Sequence, residues 1–188
     1  MQTVEAVLKE FQKYAGNRVD TLHKQKLDIP HNFGILGLEQ ALQFHPGVTL
    51  LYSRPDIGKT SVAKRIAQSL FEQGLNVVYY DAENKLYLHD LKGMDGILLA
   101  NAYRDSGMKE LVASGLTDAI IIDTITGVSK TGQVPFLQKI RKTVPYVLVV
   151  AQMRDDFKTH QPVPACDVSI SGMANTVIQL TSKEELVI

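Results

Sequence analysis

Val48-Thr-Leu-Leu-Tyr-Ser-Arg-Pro-Asp-Ile-Gly-Lys-Thr60 decides how the rest of the chain is read. It opens as a short apolar run with the character of a buried strand. It then passes through Ser53-Arg54-Pro55-Asp56-Ile57 and meets Gly58-Lys59-Thr60 at the head of a helical stretch, Lys59–Gln73. A strand, loop and helix in this order build a phosphate cradle. The loop N–H groups and the helix N-terminus turn partial positive charge toward phosphate oxygens. Gly58 admits close approach, Lys59 reaches the β- and γ-phosphates, and the Thr60 hydroxyl is a magnesium ligand. The candidate nucleotide-binding residues are therefore Ser53, Arg54, Pro55, Asp56, Ile57, Gly58, Lys59, Thr60 and Ser61. Two features depart from the full pattern. Ser53 stands where it begins with glycine, and Asp56 opposes phosphate unless it points outward. A chance Gly-Lys-Thr after an ordinary turn, and a cradle that binds without hydrolysing, are the competing readings.

Outward from this segment, Val- and Ile-rich runs alternate with helical stretches. Strands are expected at Val48–Tyr52, Asn76–Asp81, Ile97–Asn101, Ala119–Asp123, Tyr146–Ala151 and Thr176–Thr181. Helices are expected at Leu38–Phe44, Lys59–Gln73, Met108–Ser114 and Pro135–Thr143. Strands that are apolar on both faces belong to a mostly parallel central sheet flanked by helices, an α/β fold. Right-handed crossovers then gather the strand carboxyl ends, and any ligand, on one edge. Ahead of this core, residues 2–15 read as an amphipathic helix with Val4, Leu8, Phe11 and Ala15 on one face. Residues 17–32 are polar, contain Pro30 and read as a linker. The expected division is 1–32, a helix and linker serving as an oligomerisation element, and 33–188, the core.

A nucleotide hydrolase also needs a carboxylate for the magnesium shell and a group that orients the attacking water. Asp118-Ala-Ile-Ile-Ile-Asp123 is an apolar strand ending in an acid, and Asp123 would face the same edge as Lys59. Asn76-Val-Val-Tyr-Tyr-Asp-Ala-Glu83 ends in two acids. Glu83 is the candidate for polarising water, and Asp81 is read as structural. Tyr146–Ala151 leads into Gln152, whose neutral amide could sense a γ-phosphate without adding charge. The plainer alternatives are a turn cap for Asp123, a solvated loop acid for Glu83 and a surface amide for Gln152.

Composition narrows the class. Of 188 residues, 45% are hydrophobic and 21% charged, which excludes a disordered tail or a fibre. Twenty basic residues cancel twenty acidic ones, so a globally basic nucleic-acid coat is excluded while a local patch is not. The longest apolar run, Tyr146–Ala151, is far short of the roughly 20 residues of a membrane span. Charges in MQTVEAVLKEFQKYAGN speak against a secretion signal. Cys166 is the only cysteine, which precludes an intrachain disulfide or a cysteine zinc site and fits a cytoplasmic setting.

The order of these elements resembles the RecA-fold ATPases. The phosphate loop is followed by Tyr80-Asp81-Ala82-Glu83, Ile121-Ile122-Asp123-Thr124 and Val149-Val150-Ala151-Gln152-Met153-Arg154. The lead-in Ile35-Leu36-Gly37-Leu38-Glu39-Gln40-Ala41-Leu42 is similar to the segment before the loop in RecA-type recombinases, including compact phage-encoded ones. The resemblance covers roughly residues 33–182. The loop itself looks more like that of DnaB-type replicative helicases, which share the fold. The resemblance implies ATP and magnesium as ligands, with Lys59 and Thr60 on the nucleotide–magnesium complex and Glu83 as catalytic carboxylate. It implies Asp123 as the second-shell magnesium acid and Gln152 as the γ-phosphate switch. It further implies self-association into a filament or ring, and single-stranded DNA bound by two mobile loops, about Gly127–Val134 and Arg154–Ser171. With the sequence ending soon after Thr181, a C-terminal DNA-gathering domain is not expected.

Charge arithmetic bears on that DNA face. From Thr124 to Arg154 there is no Asp or Glu, while Lys130, Lys139, Arg141, Lys142 and Arg154 supply five positive charges. This is either a phosphate-contacting patch or, for Lys139, Arg141 and Lys142, the solvated face of a helix. Lys130 in the Gly127–Gly132 loop is the better DNA candidate, and Lys158 joins the set from the second loop. Phe157 would either stack on a base or pack inward. Pro162-Val163-Pro164-Ala165-Cys166 reads as extended and partly disordered. The leading expectation is an ATP-dependent, single-stranded-DNA-binding protein of recombination, strand annealing or repair. The rivals are a hexameric helicase motor or accessory and a non-hydrolysing nucleotide-binding regulator.

Overall fold

The structure is a computed structural model that describes residues 27–29, 42–86, 96–101, 112–182 and 185–187. The element order begins β1 (Leu27–Ile29), β2 (Leu42–Phe44), β3 (Gly47–Ser53), α1 (Lys59–Glu72), β4 (Val77–Asp81) and β5 (Leu98–Asn101). It continues β6 (Ala119–Asp123), a 3-10 turn (Ile125–Gly127), α2 (Lys130–Ile140) and β7 (Tyr146–Asp155). It ends β8 (Pro162–Pro164), α3 (Val168–Met173), β9 (Thr176–Ser182) and β10 (Glu185–Val187). Among the described residues the main sheet has eight strands. Seven follow the order β10-β9-β3-β7-β6-β4-β5, and β8 pairs with the far end of β7. From β9 to β5 every pairing is parallel, and only β10 and β8 run antiparallel. β1 and β2 form a separate antiparallel pair. No helix among the described residues is long and apolar enough to cross a membrane.

Both faces of the sheet are buried because successive side chains point to opposite sides. On one face Tyr146, Leu148 and Val150 of β7 join Val77 and Tyr79 of β4 against Val62, Ile66, Ala67 and Leu70 of α1. On the other, Val147, Val149 and Ala151 meet Leu137 and Ile140 of α2 and Ile170 of α3. Each such Leu, Ile or Val contributes about 1.5–3 kcal/mol by leaving water. The helix α1 forms because its apolar residues recur at three- and four-residue spacing and so find one face of the sheet.

The six expected core strands are present, with β7 running four residues beyond Ala151. Several expectations are corrected. Leu42–Phe44, the end of the helix expected at Leu38–Phe44, is a strand. Leu-Gln-Phe alternates with period two, and Pro46 disfavours a helix just before it. The helix expected from Pro135 begins at Lys130, so Lys130 is helical and the mobile loop expected at Gly127–Val134 is a 3-10 turn running into α2. The second expected loop, Arg154–Ser171, is a β-hairpin followed by α3. Met153, Arg154 and Asp155 pair with Pro164, Val163 and Pro162. Prolines are tolerated in β8 because an edge strand has N–H positions that need no partner. Of the expected helix Met108–Ser114, residues 112–114 are described and Val112 and Ala113 are helical. Leu27–Ile29 of the expected linker forms β1. The amphipathic helix at 2–15 and the lead-in Ile35–Ala41 lie outside the described residues.

Candidate nucleotide site

Strand order explains why distant residues meet. After β3 the chain crosses along α1 to β4, passing over β7 and β6, and those two strands are inserted later. The carboxyl ends of β3, β7, β6 and β4 therefore lie side by side, where open α/β sheets bind ligands. Register sets the heights. Ser53 lies opposite Gln152 and Asp81 opposite Asp123.

The loop after β3 turns through Asp56 at φ 62° and Gly58 at φ 104°. The second value demands glycine for conformation rather than space, since a Cβ there would meet nothing within 4 Å. That opening exposes the start of α1, where free N–H groups gather. Asp56 is exposed, and its charge reaches Lys59. Ser53, in the glycine position, is fully buried. Its hydroxyl donates to Arg54 O at 2.8 Å and accepts from Lys59 Nζ at 3.1 Å. Lys59 Nζ also donates to Ser53 O at 3.2 Å and Arg54 O at 2.8 Å. Burial lowers the Lys59 pKa, while the charges of Asp123, Asp56 and Glu83 work the other way.

Asp123 is buried at the end of β6. Its Oδ2 accepts from the Tyr79 hydroxyl at 2.7 Å. Its Oδ1 is buried and accepts no hydrogen bond among the described residues. Burial pushes the Asp123 carboxyl above the ordinary range, against hydrogen bonds from Tyr79 and Thr60 that favour its charged form. A carboxylate oxygen without a donor, next to a threonine hydroxyl, suits a hydrated magnesium ion, which keeps most of its waters and takes few protein ligands. Among the described residues no three His, Cys, Asp or Glu form a metal cage, and a nucleotide-borne magnesium requires none.

Glu83 follows β4. Its Oε1 accepts from the Thr124 and Thr126 hydroxyls, each at 2.7 Å, and Lys85 Nζ pairs with Oε2 at 2.5 Å. Burial alone would raise its pKa, but the hydrogen bonds from Lys85, Thr124 and Thr126 together hold it below the ordinary value. Asp81 accepts from Lys85 N at 3.1 Å and Leu86 N at 2.8 Å, and so shapes the loop that carries Glu83. Gln152 is half-buried and its carbonyl accepts from Ala165 N at 2.6 Å, tying the hairpin to the strand end. Arg54 pairs with Asp155 across an exposed 3.3 Å contact, worth about 0–1 kcal/mol.

The basic candidates separate into two groups. Lys130, Arg154 and Lys158 stand with the carboxyl edge, on the first turn of α2 and on the hairpin. Lys139, Arg141 and Lys142 do not. They precede Tyr146, which pairs with Gly47 and Ala119 at the strand beginnings, so they occupy the opposite edge. The acid-free stretch is thus not one patch, because α2 runs antiparallel to β7 and carries its last turn away from the site. Phe157 points outward, 94% exposed, on a turn that Asp156 braces. The Asp156 carboxylate accepts from Lys158 N at 3.0 Å, Thr159 N at 2.8 Å and the Thr159 hydroxyl at 3.0 Å.

Tyr79, Thr124, Thr126 and Lys85 touch the site carboxylates without having been candidates. Thr124, adjacent to Asp123, and Lys85, two residues from Glu83, lie close in sequence to the acids, whereas Tyr79 and Thr126 meet theirs only through the pairing of β4 with β6.

No protein-family model matches the sequence, and no curated protein does. Solved structures do resemble the chain. The flagellar accessory protein FlaH from Methanocaldococcus jannaschii superposes with a TM-score of 0.52 at 16% identity, covering 72% of this chain and 71% of FlaH. The RadB recombinase gives a TM-score of 0.49 at 18% identity, covering 72% of this chain and 75% of RadB. With the mostly parallel sheet flanked by helices, the fold is RecA-like.

Proposed function

We propose that this chain is a magnesium-dependent ATPase that acts on single-stranded DNA in recombination, strand annealing or repair. The observation that carries the ATPase reading is the convergence of a buried lysine at the start of α1 with two carboxylates, one ending β6 and one following β4. Lys59 feels Asp123 and Glu83 although 64 and 24 residues separate them by number (123 − 59 and 83 − 59). In this reading the N–H groups of residues 54–60 and the Lys59 ammonium hold the phosphates. Thr60 and Asp123 would hold magnesium, which when bound screens the charge on the phosphates. Glu83 orients the attacking water, and Gln152, one strand over from the loop, registers the γ-phosphate. Electrostatic stabilisation of this kind is the main lever in phosphoryl transfer.

The DNA reading rests on the hairpin. The hairpin carries Arg154 and Lys158 beside exposed Phe157, while Asp155 pairs with Arg54 and the Asp156 carboxylate, braced by its own turn, feels the charge of Arg154. Cations flanking an aromatic ring suit a single strand. Lys130 stands on the same edge. Lys139, Arg141 and Lys142 have no part in this face.

A second reading, tight nucleotide binding without turnover, is favoured by Lys85, which occupies the Glu83 oxygen that water would need. Measured ATP turnover with and without single-stranded DNA separates the two. Turnover stimulated by single strands and abolished by Glu83→Gln, with nucleotide binding retained, supports the first. Binding without turnover rejects it, and duplex unwinding would make the chain a helicase-type motor.

A further inference from the structure

Two hydroxyls from outside β4 grip Glu83. Thr124 follows the last residue of β6, Thr126 lies in the 3-10 turn, and both donate to Glu83 Oε1 at 2.7 Å. The two hydroxyls also touch each other. The turn that carries them sits unusually close to the Glu83 loop. A Cβ at Gly127 would lie 2.3 Å from the Ala82 carbonyl oxygen and 2.5 Å from its carbon, so only glycine permits this approach. Ala82 N donates to Asp123 O at 2.9 Å, which closes the contact from the other side. From α2 the Gln133 amide donates to Ile125 O at 3.0 Å and Val128 O at 3.1 Å. Gln133 in turn accepts from Asp167 N at 3.0 Å, so the brace extends to α3. By contrast, the partner on Oε2 is Lys85, whose side chain is 70% exposed and readily exchanged for water.

We propose that Thr124 and Thr126 are positioning residues that lock Glu83 through Oε1, so that Oε2 is the oxygen presented to the attacking water. The proposal rests on the reading of Glu83 given above. Its physical basis is rotational. A glutamate side chain loses up to about 1.5–2 kcal/mol of rotamer freedom when it is fixed, and here that ordering is complete before substrate arrives. The cradle that binds phosphate does not include either threonine, so the gain falls on the chemical step rather than on nucleotide affinity.

The test compares Thr126→Val, which removes the hydroxyl at nearly constant shape, with Thr126→Ser, which keeps it, and with Glu83→Gln. Steady-state kcat and KM for magnesium–ATP are measured for each, with folding checked by urea denaturation. Thr126→Val should lower kcat about 10- to 100-fold with KM changed less than about threefold, the scale expected when a reacting group is misplaced by an ångström. Thr126→Ser should restore kcat. Gly127→Ala should behave like the valine variant, because the added methyl pushes the turn away from Ala82. If Thr126→Val does not fold, Thr126→Ala replaces it. Wild-type kcat in the valine variant while Glu83→Gln is inactive overturns the positioning role and leaves Glu83 in place. A loss that serine does not restore assigns the effect to packing and also overturns it. Full turnover in Glu83→Gln, or none in the wild type, overturns the reading of Glu83 and the proposal with it.

Discussion

Tyr79 and Asp123 form a buried hydroxyl–carboxylate pair whose worth can be isolated. Tyr79 is 0% and Asp123 6% exposed, and the bond between them is 2.7 Å. Water cannot take the place of a lost hydroxyl at such a site, and Asp123 Oδ1 already lacks a donor. Hydrogen bonds to charged groups contribute about 1.5–3 kcal/mol, against about 0.5–1.5 kcal/mol for neutral ones. Tyr79→Phe should therefore cost about 2–3 kcal/mol in magnesium-free buffer. In an Asp123→Asn background the acceptor is neutral, and the same change should cost only about 0.5–1.5 kcal/mol. The coupling energy is then on the order of 1–2 kcal/mol, well above the scatter of independent sites. Urea denaturation of the four proteins measures it, with an expected midpoint shift of about 1 M between Tyr79→Phe and wild type at ordinary slopes. Equal costs in the two backgrounds would refute the claim that Tyr79 stabilises the charge on Asp123.

Three further outcomes follow from particular contacts. Gly58→Ala places a methyl in open space but at φ 104°, so it should cost about 1–3 kcal/mol of stability through backbone strain alone; a neutral result in urea denaturation would contradict the loop geometry. Phe157→Ala should leave stability within about 0.5 kcal/mol while weakening single-stranded DNA binding by about 1–3 kcal/mol; unchanged DNA affinity would remove the hairpin from that face. Glu83 has a folded pKa below its ordinary 4.5, so its charge stabilises the fold above that value and the contribution is lost as pH falls through the folded pKa. The stability gap between wild type and Glu83→Gln should therefore narrow on acidification below 4.5, and a gap independent of pH in denaturation curves would reject the hydrogen bonds at Glu83.

The threonine clamp and the tyrosine bond have a common origin. Tyr79 to Asp123 joins β4 to β6, and Thr126 to Glu83 joins the segments that follow those two strands, at separations of 44 and 43 residues. The register that places Asp81 beside Asp123 brings both contacts about at once. A displacement of either strand by one residue would turn their side chains to the other face of the sheet.

What could be read along the chain was whatever depends on a residue and its near neighbours. Val- and Ile-rich runs such as Tyr146–Ala151 announced strands buried on both faces, and Gly58-Lys59-Thr60 after such a run announced a phosphate loop. That Asp123 ends β6 was legible because an acid closing an apolar strand comes to the carboxyl edge of a parallel sheet, and Glu83 follows the end of β4 by two residues. The tertiary structure alone decided the rest. α2 starts five residues before Pro135 because Gln133 anchors its first turn to Ile125, Val128 and Asp167, contacts that outweigh the preference of proline for a helix start. The segment around Pro162 is a strand because β7 extends past the sheet and offers it an edge. The basic residues of α2 fall on opposite edges because the helix runs back along the sheet. Local propensity and periodicity involve energies set within a few residues, whereas these outcomes depend on partners that only chain folding brings within hydrogen-bonding distance.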